Sequence, residues 1–547
     1  MSLVVRLRSS LGLSMLWALV AVASADAQRV LPDDPLRVDH DTLPIEKPGE
    51  VELSTLYDVF EHTFKHRPGD AIPRAQNANT LGEVPNSSWF TNRIGVRDMS
   101  IDEIVRGPET TGGPDLSQPL TIIAGKSGGI TPGFTIQDAR GDIYFVKFDP
   151  RKHPNLSTAP DVIVSKFFYM FGYNVPENYI AYLQPEQLRI GPKARVKVRG
   201  KKTPMGPAYL EEVFSKAAAR EDGSIRVIAS RGLQGEPVGP FKFYGTRGDD
   251  PNDIVPHEHR RELRGYRVFC AWLNHDDSRS LNTLDMYVRN GERGHLVHNL
   301  IDFSSTLGSG SNAARQIAPQ NPRAGNEYIM EAKPFLKTAF SLGLWERPWR
   351  KVKYEYPMYA ELGRIESQRF QPQLWKSEYP NPAFERMQLD DAFWATRIVA
   401  RVSDEAIGAL VRQGQYTSKA AEQHLTQTLI ERRDKIVRYY FSQLNPLDAF
   451  RIEGDELVFR NLGEEAGIAR AQTYEYEWFT FGNQTETSTA LAVRGTSRRP
   501  RLALPSADAW LQVRLRTRSD AAPLWHKAVD VYIRMRDRSV VGIEREL

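Results

Sequence analysis

The chain has 547 residues, of which 41% are hydrophobic and 26% charged, and its 72 basic and 68 acidic residues leave a net charge of +4. That length supports about two to four domains with sizeable cores, and 10 Trp, 21 Tyr and 24 Phe exclude a disordered chain. The near balance of charge gives no case for a nucleic-acid partner.

The first element is a signal peptide over residues 1–27. Arg6 and Arg8 precede an apolar run over 11–23, and Ala25-Asp26-Ala27 is a small-x-small site with cleavage after Ala27. The run is shorter than the ~20 residues a spanning helix needs. No Cys follows it to carry a lipid, and no second long apolar run exists, so the mature chain is expected to lack a transmembrane span and to be periplasmic or secreted. Cys270 is the only cysteine. It sits in an apolar helical pattern and reads as a buried small hydrophobe rather than a nucleophile.

Residues 28–118 form an N-terminal extension rich in Pro, Asp, Asn and Gly. Leu56, Val59, Phe60 and Phe64 recur at helical spacing and predict a helix over 53–65. Pro85-Asn86-Ser87-Ser88-Trp89-Phe90 reads as an ordered loop with an aromatic anchor.

Residues 119–255 change character. Strands are predicted at 120–123, 134–138 and 143–148, separated by a glycine-rich turn (Gly125-Lys126-Ser127-Gly128-Gly129) and by Arg140-Gly141-Asp142. Lys147 stands near the end of the third strand. A helix follows over 161–171, stopped by Gly172, then a strand at 179–183. An insert over 185–255 carries Lys193, Arg195, Lys197, Arg199, Lys201 and Lys202, whose alternation reads as a solvated hairpin.

Residues 256–445 open with a helix over 258–275, with Leu263, Tyr266, Cys270 and Leu273 on one face. It delivers His275-Asp276-Asp277-Ser278-Arg279-Ser280-Leu281-Asn282. Strands at 284–288 and 296–301 lead to Asp302, and helices are predicted at 392–402 and 418–441 after an irregular stretch over 306–385. Residues 446–547 alternate with period two, as in 511–516 and 529–534, and predict a small antiparallel β-domain for binding or docking.

The polar residues carry the chemistry. Asp277 precedes Asn282 by five residues, a spacing that on a loop lets a carboxylate meet an attacking hydroxyl while an amide oxygen meets a metal ion. The alternative for this pair is a polar helix end, where Asp, Ser and Asn are common. Asp276 is a rival for Asp277 with a spacing of six. Asp302 ends an apolar strand, where a carboxylate is costly to bury without a cation or hydrogen bonds, and Mg²⁺ or Mn²⁺ suits it. Lys147 could orient phosphates and pair with Asp161 on the next helix. Gly125, Lys126, Gly128 and Gly129 could cradle phosphates through backbone N–H groups. His257-x-His259 invites a zinc reading, but His at i and i+2 do not share a helix face and no third ligand is evident.

Taken together, residues 119–310 resemble the atypical protein-kinase-like superfamily, in particular its HipA-like and phosphatidylinositol-kinase-like branches. Ser127-Gly128-Gly129-Ile130-Thr131-Pro132 is similar to the HipA-type S-x-G-G-x-x-P loop. The whole chain also looks like a group of uncharacterised exported bacterial proteins. The resemblance implies a nucleotide-binding role for Lys147, a catalytic-loop role for Asp277 and metal ligation by Asn282 and by Asp302, the Asp of D-F-G. Ser304 stands where that motif has Gly, Asp276 where the catalytic loop has Arg, and no Ala-Pro-Glu signature follows.

The expected architecture is therefore α+β: a bilobal kinase-like core (lobes 119–255 and 256–445) with a helical extension and a C-terminal antiparallel β-domain. The expected function is that of an exported phosphotransferase using ATP and Mg²⁺ or Mn²⁺ on an unknown acceptor. A pseudokinase or cell-envelope binding protein is the alternative. A hydrolase built on Asp276 and Asp277 ranks below both, because adjacent side chains diverge in direction.

Overall fold

The computed structural model describes residues 41–54, 57–58, 72–126, 133–198, 201–310, 325, 328, 331–346, 359–507 and 509–547. The signal-peptide reading, most of the helix expected over 53–65, and Gly128 and Gly129 lie outside the described residues.

The first lobe is a seven-stranded sheet in the order β4-β7-β3-β2-β1-β5-β6. Its strands are β1 (Leu120–Gly125), β2 (Gly133–Gln137), β3 (Ile143–Phe148), β4 (Asn178–Leu183), β5 (Leu188–Val198), β6 (Lys201–Pro204) and β7 (Ile225–Arg231). Alternation decides its faces. Phe134, Ile136, Tyr144, Val146 and Phe148 point into one apolar layer, which the helix Pro207–Lys216 helps to close through Val213. Lys147 and Phe145 therefore point to the opposite face. Residues 185–255 are more than an appended hairpin. β5 pairs in parallel with β1, and β7 inserts between β3 and β4.

A short helix, α1 (Ile101–Arg106), is capped at its start by the Ser100 hydroxyl. Helix α2 (Thr158–Phe171) lies buried along almost its whole length. Asp149 fixes its start: Oδ1 accepts the Ser157 and Thr158 amides at 2.8 and 2.9 Å, and Oδ2 accepts the Thr158 hydroxyl at 2.7 Å. Its end is fixed by Gly172 at φ 131°, where a Cβ would come within 2.3 Å of the Phe90 ring. That ring belongs to the loop read as an aromatic anchor.

The second lobe is built on α3 (Arg261–Leu273), preceded by a 3₁₀ turn at His257–His259. The helix is buried on nearly every side rather than along one stripe, Cys270 included. Asn274 ends it in the left-handed region at φ 49°, a conformation Asn tolerates. The hairpin β9 (Thr283–Asn290) and β10 (Arg293–Leu300) then runs in register from Thr283↔Leu300 to Asn290↔Arg293. Helices α4 (Leu389–Ala400), α5 (Asp404–Arg412) and α6 (Lys419–Ser442) complete this core. All three lie over the stretch 389–441 read from the sequence as mostly helical. Among the described residues, no helix is long and apolar enough to cross a membrane.

The tail forms a three-stranded and a five-stranded antiparallel sheet with its own core, including Trp478, Leu511, Val513, Leu515, Val529, Val531 and Ile533. It is docked on the helices. The Trp525 indole donates to the Phe441 carbonyl at 2.8 Å, and the Ile543 amide donates to the Thr80 carbonyl at 2.8 Å. The architecture is α+β, with a seven-stranded sheet lobe, a largely helical second lobe and C-terminal antiparallel sheets.

Candidate active site

Lys147 is delivered by β3, opposite Gly133 of β2 in the sheet register. A Cβ on Gly133 would lie 2.2 Å from the Val146 carbonyl oxygen, so only glycine allows the two strands to approach this closely. The Lys147 ammonium sits 2.7 Å from Asp302 Oδ1 and 3.3 Å from Asp161 Oδ2. Three elements far apart in sequence therefore meet at one charge centre.

Asp161 is the hinge of this arrangement. One oxygen faces Lys147. The other accepts the Phe303 amide at 3.0 Å and the Asn178 side-chain amide at 3.2 Å. Its side chain is 1% exposed. Donors on both oxygens offset the cost of burying the carboxylate. Asp161 thus reaches Lys147 from the first turn of α2.

Asp302 has φ 59°, a left-handed conformation that a non-glycine residue adopts only when its surroundings enforce it. The enforcement is visible. The Ser304 hydroxyl donates to Asp302 Oδ1 at 2.6 Å. Phe303 is fully buried and packs its ring against Phe168 of α2 and His275, at centroid distances of 5.3 and 5.9 Å. Ser304, in the place of a glycine, thus acquires a role as a positioning hydroxyl.

The loop after α3 places the remaining polar groups. The Ile301 amide donates to the Asn282 carbonyl at 3.0 Å, which brings Asn282 beside the Asp302 segment. The Asn282 side-chain amide nitrogen donates to the Asp277 carbonyl at 2.7 Å. Asp276 is 2% exposed, and its carbonyl accepts the Glu378 amide at 2.7 Å. The Asp277 side chain is 16% exposed and forms an ion pair with Arg279 at 2.8 Å. Of the two adjacent carboxylates, Asp277 is thus the more accessible.

The charges tune one another. Burial pushes the Asp277 carboxyl up to about 7; Arg279 acts against this, while Glu378 and Asp302 add to it. Burial also opposes charge on Asp302, but Lys147 and the Ser304 hydroxyl hold it well below the usual carboxylate range. Burial disfavours the Lys147 ammonium, yet Asp161 and Asp302 outweigh it and hold Lys147 above its ordinary value. For Asp161 burial dominates and pushes the carboxyl up, with Lys147 and the Phe303 amide acting against it. Burial and the neighbouring Lys147 lower Lys126 to about 8. His275 is lowered to about 4 by burial, so it is neutral at pH 7.

The structure thus joins Lys147, Asp161 and Asp302 directly, and Lys126 electrostatically. Asp277 and Asn282 occupy the adjoining loop. Gly125 has a packing reason of its own: a Cβ there would approach Val196 Cγ2 to 2.9 Å. Asn178, Arg279 and Glu378 escaped the reading of the sequence, and Ser304 was noted there without its role as a donor to Asp302. Only Arg279 carried a local signal, two residues after Asp277.

Among the described residues no three His, Cys, Asp or Glu side chains cluster as a metal cage. Asp302 and Asn282 nonetheless offer hard oxygen donors, which suit Mg²⁺ or Mn²⁺ when nucleotide phosphates and water supply the remaining ligands.

No family model matches the chain, and no curated protein matches it in sequence. Among solved structures, the chain is similar to a Helicobacter pylori proinflammatory kinase, CtkA, with a TM-score of 0.29 and 13% identity over 58% of this chain and 97% of that one.

Proposed function

We propose that the chain is an exported, metal-dependent phosphotransferase acting from a nucleoside triphosphate onto an acceptor hydroxyl. The observation that carries this reading is the meeting of Lys147 with Asp161 and Asp302 at 3.3 and 2.7 Å. Lys147 orients phosphate oxygens while Asp161 holds it in place. Asp302 and Asn282 hold Mg²⁺ or Mn²⁺, which neutralises phosphate charge when bound. Asp277 takes the proton of the acceptor hydroxyl as its oxygen bonds to the terminal phosphorus and the bond to the nucleoside diphosphate breaks. An upward-shifted carboxyl is matched to that task near neutral pH. Export rests on the signal read over residues 1–27.

The test is nucleoside diphosphate formation by the full chain with ATP and Mg²⁺ or Mn²⁺. The reading expects turnover that Asp277→Asn lowers by about 10²- to 10⁴-fold. Absence of turnover in the unaltered chain contradicts it. One observation favours a second reading, an inactive pseudokinase or cell-envelope binding protein: the acids in question already have internal partners, Lys147 on Asp302 and Arg279 on Asp277. Nucleotide binding without turnover, or no nucleotide binding, is the outcome that reading expects.

A further inference from the structure

The basic tract of the β5–β6 hairpin takes no part in the site above, and its geometry is specific. Lys193, Arg195 and Lys197 are exposed and alternate with Ala194 and Val196, which are buried in the core of the lobe. The pairing register sets Lys197 directly opposite Lys202. Directly opposed residues of an antiparallel pair share a face, with Cβ atoms about 5 Å apart. Four cations therefore line one face of a ribbon whose other face is anchored. Like charges directly opposed destabilise a sheet.

On the C-terminal strands, several exposed cations have acidic partners. Arg514 pairs with Asp530 at 2.8 Å, and Arg501 with Glu456 at 2.9 Å. No acidic side chain among the described residues pairs with Lys193, Arg195, Lys197 or Lys202. Among the described residues nothing supplies their counter-charge, which leaves this face open to an anionic surface.

We propose that this face of the hairpin docks on an anionic phospholipid bilayer. A patch of four cations, three along β5 and one opposite on β6, matches a surface of like negative headgroups, where each Lys or Arg adds about a fivefold gain in partitioning (~1 kcal/mol). Among the four there is no aromatic ring to stack on a base and no amide to read a base edge, so an extended nucleic acid is the poorer fit. The register also fixes the orientation. Arg195 lies beside Ala124, which pairs with Thr135, which pairs with Phe145. Phe145 and Lys147 share a face. The ribbon thus continues the face of the sheet that bears Lys147, about three strand spacings or ~14 Å away. This proposal stands whether or not the cleft transfers phosphate.

The experiment is co-sedimentation of the full chain with vesicles of phosphatidylcholine alone or mixed with phosphatidylglycerol, at low and high salt. Binding is expected only to the anionic vesicles, weakening with salt. Replacing all four residues by Gln should lower partitioning by about 10²- to 10³-fold. Lys197→Gln alone should cost about fivefold and should not lower the melting temperature, because it removes a like-charge pair. Equal binding by the unaltered and four-Gln chains, or no binding to anionic vesicles at low salt, overturns the proposal. Preference for a DNA strand over anionic vesicles overturns it as well.

Discussion

The cleft and the C-terminal sheet both alternate apolar and charged residues along their strands, yet they use charge differently. In the sheet, Arg514 and Asp530 pair across strands β16 (Trp510–Arg518) and β17 (Val529–Arg534), with the Arg side chain 41% exposed. Water screens such a pair, and it needs no other support. In the cleft, Asp161 is buried and holds donors on both oxygens, and Asp302 is bent into a left-handed conformation beside Lys147. Buried ion pairs occur elsewhere too, as between Arg264 and Asp391, but at this site buried charge and the left-handed backbone of Asp302 meet.

That contrast can be broken or sharpened by substitution. The largest expected effect is on turnover: Asp277→Asn should lower it by about 10²- to 10⁴-fold with nucleotide affinity little changed, as read by diphosphate release and by titration calorimetry. Next, Asp161→Ala leaves the buried Phe303 and Asn178 amides without their acceptor and Lys147 with Asp302 alone. Chemical denaturation should show a loss of about 3–5 kcal/mol. The smallest effect belongs to the sheet, where Arg514→Ala should cost under about 1 kcal/mol by the same measurement. Equal losses for Asp161→Ala and Arg514→Ala would erase the distinction between the regions.

A pH series separates the regions in another way. Asp277 titrates at about 7 when folded and near 3.9 when unfolded. Between these values the unfolded chain has released a proton that the folded chain still holds. The stability contributed by this group therefore falls as pH rises from about 4 to about 7, then levels off. Asp277→Asn should gain stability relative to the unaltered chain over that window. A difference that does not change with pH would contradict the burial of Asp277.

How much of this could be read from the chain follows from range. Asp277, Asn282 and Asp302 are joined by one loop and one hairpin, so their spacing and the apolar strand before Asp302 singled them out as candidates. Lys147 was legible from its place in a short apolar strand. Asp161 was legible as the acid on the next helix, but its reach to Lys147 depends on where α2 packs. Asn178 and Glu378 come from other elements and enter through tertiary contact alone, which no local pattern records. The insertion of β7 between β3 and β4, and the parallel pairing of β5 with β1, are long-range choices of the same kind. Helix α3 was expected to show one apolar stripe. Its polar residues are buried too, because Arg261 and Arg264 form ion pairs with Asp391 at the start of α4.

Lys147, Asp161 and Asp302 are proposed to form a metal-dependent nucleotide site. Thermal unfolding of the unaltered chain and of Asp302→Ala, each with ATP and with or without Mg²⁺ or Mn²⁺, tests it most directly. Metal and nucleotide together should raise the melting temperature of the unaltered chain and leave Asp302→Ala unmoved. No rise at millimolar nucleotide, or an equal rise in the variant, would contradict it.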